Sequence, residues 1–104
     1  DAIGYGVAGP LSLPVKNASN RALELKRLYV KSGFQSQGLG DRLMTTFFAW
    51  AEQYRYPELY LGVYAENYAA QRFYQRHGFQ KVGDYLFPVG RHRDLEFIYK
   101  RMAV

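Results

Sequence analysis

Cysteine is absent from the 104 residues, which excludes disulfides and thiolate metal sites. Histidine is scarce: His77 and His92 stand far apart and off any helical ligand spacing, so no metal is expected. There is no apolar run of about 18 residues, the length a membrane helix needs, so no membrane partner is expected. No charged-then-apolar leader precedes a cleavage site. A cytoplasmic protein is therefore the default expectation. The chain opens on Asp1 with no initiator Met, as a processed or partial product would. Acidic residues are also in the minority, 9 against 14 Lys and Arg, for a net charge of +5.

What is present is ordinary globular composition, 48% hydrophobic and 22% charged, enough for one small domain over residues 1–104. Aromatics reach 17%, and large rings are an economical source of core area in a small domain. The basic balance suits a polyanionic partner: nucleic acid, an acidic surface, or a small molecule with several phosphates. The cations are scattered from Lys16 to Arg101 without a polybasic block, so nucleic acid is the weakest of the three.

Residues 3–15 read as an extended segment that Pro10 and Pro14 confine to a sheet edge. A polar turn follows over 16–21, then a strand over 22–30 (ALELKRLYV), so the first two strands form an antiparallel hairpin. Residues 31–40 (KSGFQSQGLG) are too rich in glycine for an element interior. From Gly40 the period changes. Leu39, Leu43, Phe47, Trp50 and Tyr54 trace one helical stripe that Pro57 ends. Residues 59–64 (LYLGVY) form a strand compact enough to be buried on both faces. Asn67 is an N-cap for a helix reaching His77, with Gly78 just past its end. Strands over 79–87 and 94–102 flank a Pro88-Val89-Gly90 turn. The order is β-β-α-β-α-β-β, an α/β (α+β) mixed sheet with parallel pairing in the middle.

The chemically suggestive segment is Gln35-Ser36-Gln37-Gly38-Leu39-Gly40, which leaves a strand and opens a helix. The first-turn N–H groups of a helix lack internal partners, and the macrodipole adds positive charge. Glycines let an anion approach the main chain. A P-loop would need Gly-Lys-Ser/Thr where Gly40-Asp41-Arg42 stands. A dinucleotide loop would need a small residue where Leu43 stands. A ligand-free glycine turn explains the letters equally well. In the second helix Asn67, Ala70, Tyr74 and His77 share a face, with Phe73 and Phe79 assigned to the core. A tyrosine phenol stays protonated at neutral pH and can donate to a departing thiolate.

Together, Gln35-x-x-Gly38-x-Gly40 and Asn67-x-x-Ala70-x-x-Phe73-Tyr74-x-x-x-Gly78-Phe79 resemble two motifs of the GNAT superfamily of acetyl-CoA-dependent N-acetyltransferases. The resemblance runs from about Ala22 to Met102. It implies acetyl-CoA as cosubstrate, with main-chain groups of Leu28, Tyr29 and Val30 against the pantetheine. The Gln35 to Gly40 loop would hold the pyrophosphate, Asn67 would stand beside the pantetheine, and Tyr74 would protonate the thiolate. Glu24 matches the general-base glutamate of the histone-acetyltransferase branch; its plainer reading is a surface pair with Lys26. The ribosomal-protein branch carries glutamate where Gly62 stands, and on that analogy water or Glu66 would serve as base.

Family members begin with a strand and two helices that wall the acceptor site. Here only a hairpin precedes the loop, so the chain corresponds to the last two-thirds of the fold. The acceptor is expected to be a small primary amine, polyamine-like in the look of LELKRLYV, or a protein amine. Two other functions stay open: a CoA-binding module without catalysis, and nucleic-acid binding. Homo-oligomerisation is also left open.

Overall fold

The structure is a computed structural model that describes residues 4–30 and 38–102. Its elements are β1 (Gly4–Pro10), β2 (Ala22–Val30), α1 (Leu39–Gln53), β3 (Glu58–Tyr64), α2 (Tyr68–Arg76), β4 (Gln80–Val89) and β5 (His92–Met102). This is the order read from the sequence. The strands form one mixed sheet in the spatial order β1-β2-β3-β5-β4. β1 pairs antiparallel with β2, as expected for the hairpin, and β2 is parallel to β3. The parallel region stops there, because β5 inserts antiparallel between β3 and β4.

Alternation along the strands divides the side chains between two faces. One face buries Leu23, Leu25, Leu59, Leu61, Val63 and Tyr99 under Met44, Phe47 and Ala51 of α1, with Phe73 and Tyr74 of α2 packed alongside. The other buries Ala22, Tyr60 and Ile98 under Leu11, Leu13, Val15 and Ala18 of the β1–β2 connection. β3 is therefore covered on both sides only at its start. Leu59, Tyr60 and Leu61 are buried, while Gly62 and Tyr64 are exposed.

Several sequence boundaries shift. β1 ends at Pro10, and residues 11–21 are an irregular cover instead of the second half of a strand. β4 runs through Pro88 to Val89, and β5 begins at His92, so the hairpin turns on Gly90, at φ 58°, and Arg91. Pro88 is tolerated because β4 is an edge strand.

The helical stripe also rotates. Met44 and Ala51 are fully buried with Phe47, whereas Trp50 and Tyr54 are 41% and 50% exposed. Trp50 instead stacks on Tyr56 and tilts against Tyr54. α1 stops at Gln53, ahead of Pro57, because Arg55 turns left-handed at φ 60°. Arg21 bonds the Tyr54 carbonyl there at 2.6 Å.

Glu58 fastens the covering loop to the sheet. Its carboxylate accepts from the Ser19 N–H at 3.1 Å and the Tyr60 hydroxyl at 2.9 Å, with Lys100 at 4.0 Å. The Ser19 bond outweighs burial and lowers the Glu58 pKa below its ordinary 4.5, and Tyr60 and Lys100 lower it further. Burial, then Glu58, pushes the Tyr60 phenol up to about 12.

Two outcomes test this packing. Met44→Ala is expected to cost about 2–5 kcal/mol in urea unfolding, against roughly 0.5 kcal/mol for the surface change Tyr54→Ala. A depressed carboxyl pKa stabilises the fold above the unfolded pKa, and that stability is lost as pH falls through the folded value. Tm should therefore fall as the pH drops below the ordinary carboxyl value of 4.5. Glu58→Gln should flatten that fall.

Candidate functional site

Two neighbouring strands that begin together and then part create the site. β2 and β3 pair at Ala22–Glu58, Leu23–Leu59 and Glu24–Tyr60, and then the register ends. Beyond it, β2 pairs only with β1, out to Val30, and β3 only with β5, out to Tyr64. A bulge in β2 contributes: Val7 pairs with Arg27 but Ala8 with Leu25, leaving Lys26 as the extra residue. Bulges bend and twist the strand that carries them. The inner edges of both strands thus carry backbone groups that the sheet does not use, and such groups require partners.

The parting is at the carboxyl ends of the parallel pair, and α1 begins at that same end. Gly38 adopts φ 73°, ψ 12° before the helix, and among the described residues no side chain caps the first turn. The N–H groups of Leu39, Gly40 and Asp41 are left for another acceptor. The two glycines of the motif differ in purpose. Gly38 needs its left-handed conformation, and nothing lies within 4 Å of where a Cβ would be. A Cβ on Gly40 would meet the Phe73 ring at 3.3 Å. Gly40 therefore serves helix-to-helix approach. Gln35, Ser36 and Gln37 lie outside the described residues.

α2 lies against that first turn. Asn67 caps it, its Oδ1 accepting from the Ala70 N–H at 3.1 Å, so this oxygen is committed within the helix. His77 meets Asp41 at 2.7 Å and sits by Phe73 at 4.8 Å. It thus ties the end of α2 to the start of α1, while the Tyr74 hydroxyl has no hydrogen-bond partner among the described residues. Tyr74 is half-buried and edge-on to both Phe73 and Phe79. Burial alone raises its phenol above 10.0.

Glu24 occupies the last rung before the strands part. It is not a surface residue: it is 8% exposed. Its Oε1 accepts from the Ser12 N–H at 2.8 Å and the Ser12 hydroxyl at 2.9 Å, with Lys26 at 3.6 Å. The Lys26 pair exists, with the Glu24 end buried and the Lys26 end exposed. Glu66 is exposed and accepts from the Tyr64 hydroxyl at 2.7 Å.

Sequence reasoning missed Glu96 and Tyr85, which approach Gly62 from β5 and β4. Burial, then Asp94, raises the Glu96 pKa, and burial, then Glu96 and Glu24, raises that of Tyr85. The available signal was period two in Asp94-Leu95-Glu96-Phe97-Ile98, which places both carboxylates on the face of buried Ile98. An apolar groove of about 360 Å³ lies elsewhere, between α1 and the β1–β2 hairpin, and Leu28, Leu43 and Trp50 help line it. No metal-ligating cluster occurs among the described residues. None of their helices is long and apolar enough to cross a membrane.

With this geometry in view, residues 1–79 match the family described as the acetyltransferase (GNAT) family. The chain belongs to that family. An uncharacterized N-acetyltransferase of Lactobacillus delbrueckii subsp. lactis is 32% identical over 103 residues, 94% of this chain and 60% of that protein. The spermine/spermidine N(1)-acetyltransferase of Bacillus subtilis is 30% identical over 81% of this chain and 56% of its own length. This GNAT chain thus spans little more than half the length of those relatives. A GNAT acetyltransferase of Elizabethkingia anophelis, solved with acetyl-CoA bound, superposes with a TM-score of 0.77. It is 18% identical and covers 98% of this chain and 69% of that one.

Glu24 gives the test of this local architecture. Glu24→Ala leaves the Ser12 N–H without its acceptor and is expected to cost about 1–3 kcal/mol in urea unfolding. Glu24→Gln, which keeps an oxygen at that position, should cost less than half as much.

Proposed function

We propose that the chain binds acetyl-CoA in the gap between β2 and β3 and transfers the acetyl group to an amine. The observation that carries this reading is the coincidence at one end of the sheet of two unpaired strand edges and an uncapped helix N-terminus. A pantetheine arm has amides that complement a strand edge, and a diphosphate complements first-turn N–H groups. The residues present fit both parts. Main-chain groups of Leu28, Tyr29 and Val30 face the pantetheine. The Gln35 to Gly40 segment is the assigned diphosphate contact, and within it Gly38 supplies the left-handed turn. Asn67 positions the start of α2 through its cap.

Bound acetyl-CoA supplies an activated thioester, which an amine can attack directly without an acyl-enzyme. Tyr74 is the proton donor to the leaving sulfur. Its raised pKa keeps the phenol protonated throughout the neutral range. A thiolate, by analogy with Cys at about 8.5, is basic enough to draw on it. The likeness to a spermine/spermidine acetyltransferase favours a small cationic amine over other acceptors, with a protein amine as the neighbouring case. In this reading the protein acts as an N-acetyltransferase in solution.

Calorimetry and turnover separate the parts of this reading. Acetyl-CoA should bind at one site, and Tyr74→Phe should lower kcat by about 100-fold while acetyl-CoA affinity stays nearly constant. Equal turnover in the two proteins would refute the acid role. CoA-dependent thermal stabilisation without transfer to any amine would identify a binding module instead.

A further inference from the structure

Gly62 leaves a notch in the sheet face opposite the helices. A Cβ there would lie 3.3 Å from the Leu13 side chain, 3.5 Å from the Tyr85 hydroxyl and 3.8 Å from Glu96 Oε1. Gly62 is itself exposed, so the notch opens to solvent. It lies just past the last rung between β2 and β3, beside the gap. Cross-strand register puts Tyr64 and Tyr85 level with Glu96, and Phe87 level with Asp94, all on this face. The result is a patch of carboxylates among aromatic rings on a chain whose net charge is +5.

The neighbouring charges do not neutralise it. Among the described residues, neither Glu96 nor Asp94 forms an ion pair, and Lys100, the cation further along the same face of β5, lies by Glu58 at 4.0 Å. Glu24 faces the patch from β2, but Lys26 and Ser12 already hold its Oε1. Glu66 is engaged by Tyr64. Glu96 and Asp94 carry no such commitment among the described residues, and Glu96 is the one that stands beside Gly62.

Building on the acetyl-transfer reading, we infer that the Gly62 notch receives the ammonium of a cationic acceptor and that Glu96 takes its proton. Carboxylates and aromatic faces are what hold an ammonium. Glu96 removes one proton from R–NH3+, giving R–NH2 and the neutral acid. The nitrogen lone pair then forms the N–C bond as the C–S bond breaks. The electron pair of that bond leaves on sulfur, which takes the Tyr74 proton. The amide nitrogen gives up a second proton, which restores Tyr74, and Glu96 releases its own to solvent. Tyr74 packs on the helix face and Glu96 stands on the opposite one, so donor and acceptor flank the gap. Burial, then Asp94, raises the Glu96 pKa above its ordinary 4.5, the direction a base needs.

The test compares the whole wild-type chain with Glu96→Gln and with Glu52→Gln, an exposed change on α1. Acetyl-CoA is supplied with spermidine, propylamine and a lysine-containing peptide. Glu96→Gln should lower kcat/KM for the amine by about 100-fold and remove the acidic limb of its pH profile. Acetyl-CoA affinity, measured by calorimetry, should be unchanged, and Glu52→Gln should match wild type. Spermidine affinity for the CoA-loaded protein, read without turnover, should weaken by about 10-fold, as loss of a charge-assisted hydrogen bond does. Unchanged turnover and spermidine affinity in Glu96→Gln would overturn the inference. So would a wild-type chain that takes up acetyl-CoA yet neither binds nor acetylates any amine of the panel. If acetyl-CoA itself is not bound, the acetyl-transfer reading falls as well, and the CoA titration distinguishes the two failures.

Discussion

Three rungs join β2 to β3, and no more. Parallel strands covered on both faces ordinarily continue their ladder, since each broken rung leaves polar backbone groups to be satisfied. Here each strand is held more firmly by its outer neighbour. β2 follows β1 along its length through a bulge at Lys26, and β3 follows β5 through every one of its residues. The gap between them is therefore built into the sheet, and it opens toward the end where α1 starts. Much of the surrounding structure serves to keep this wedge rigid: the buried Leu59 and Leu61 at its apex, and the Ser12–Glu24 bonds just behind it.

The second helix closes the arrangement from one side. Phe73 sits where a side chain at Gly40 would have been, and His77 bonds Asp41. These contacts fix the first turn of α1 beside Tyr74. A glycine in a phosphate-binding motif is readily assigned to the ligand, yet Gly40 is needed for the helix contact and Gly38 for the left-handed turn. Gly62 has a third function, since its missing side chain leaves room for Leu13 of the covering loop, with Tyr85 and Glu96 close by.

Much of this was legible in the sequence. Element order follows from the switch between period two and period 3.6 at Gly40, and the α2 boundaries follow from Asn67 and Gly78. The helix stripe was misread because Trp50 and Tyr54 are large and apolar. In the fold Trp50 stacks on Tyr56 and tilts against Tyr54 at the end of α1, while the smaller Ala51 meets the sheet. The burial of Glu24 was invisible because Ser12, which satisfies it, lies in a connection with no periodic pattern. Glu96 escaped notice for a related reason. Its partners are brought to it by β5 inserting between β3 and β4, a long-range pairing that local spacing does not encode.

The central claim is that the parted strands and the start of α1 form one binding surface. Amide resonances followed during titration with acetyl-CoA address it most directly. The account predicts that Gly38, Leu39 and Gly40, together with residues 28–30 of β2, shift as a single saturable group. Shifts confined to Leu43, Thr46 and Trp50 of the groove between α1 and the β1–β2 hairpin, or none at all near Gly38, would contradict it.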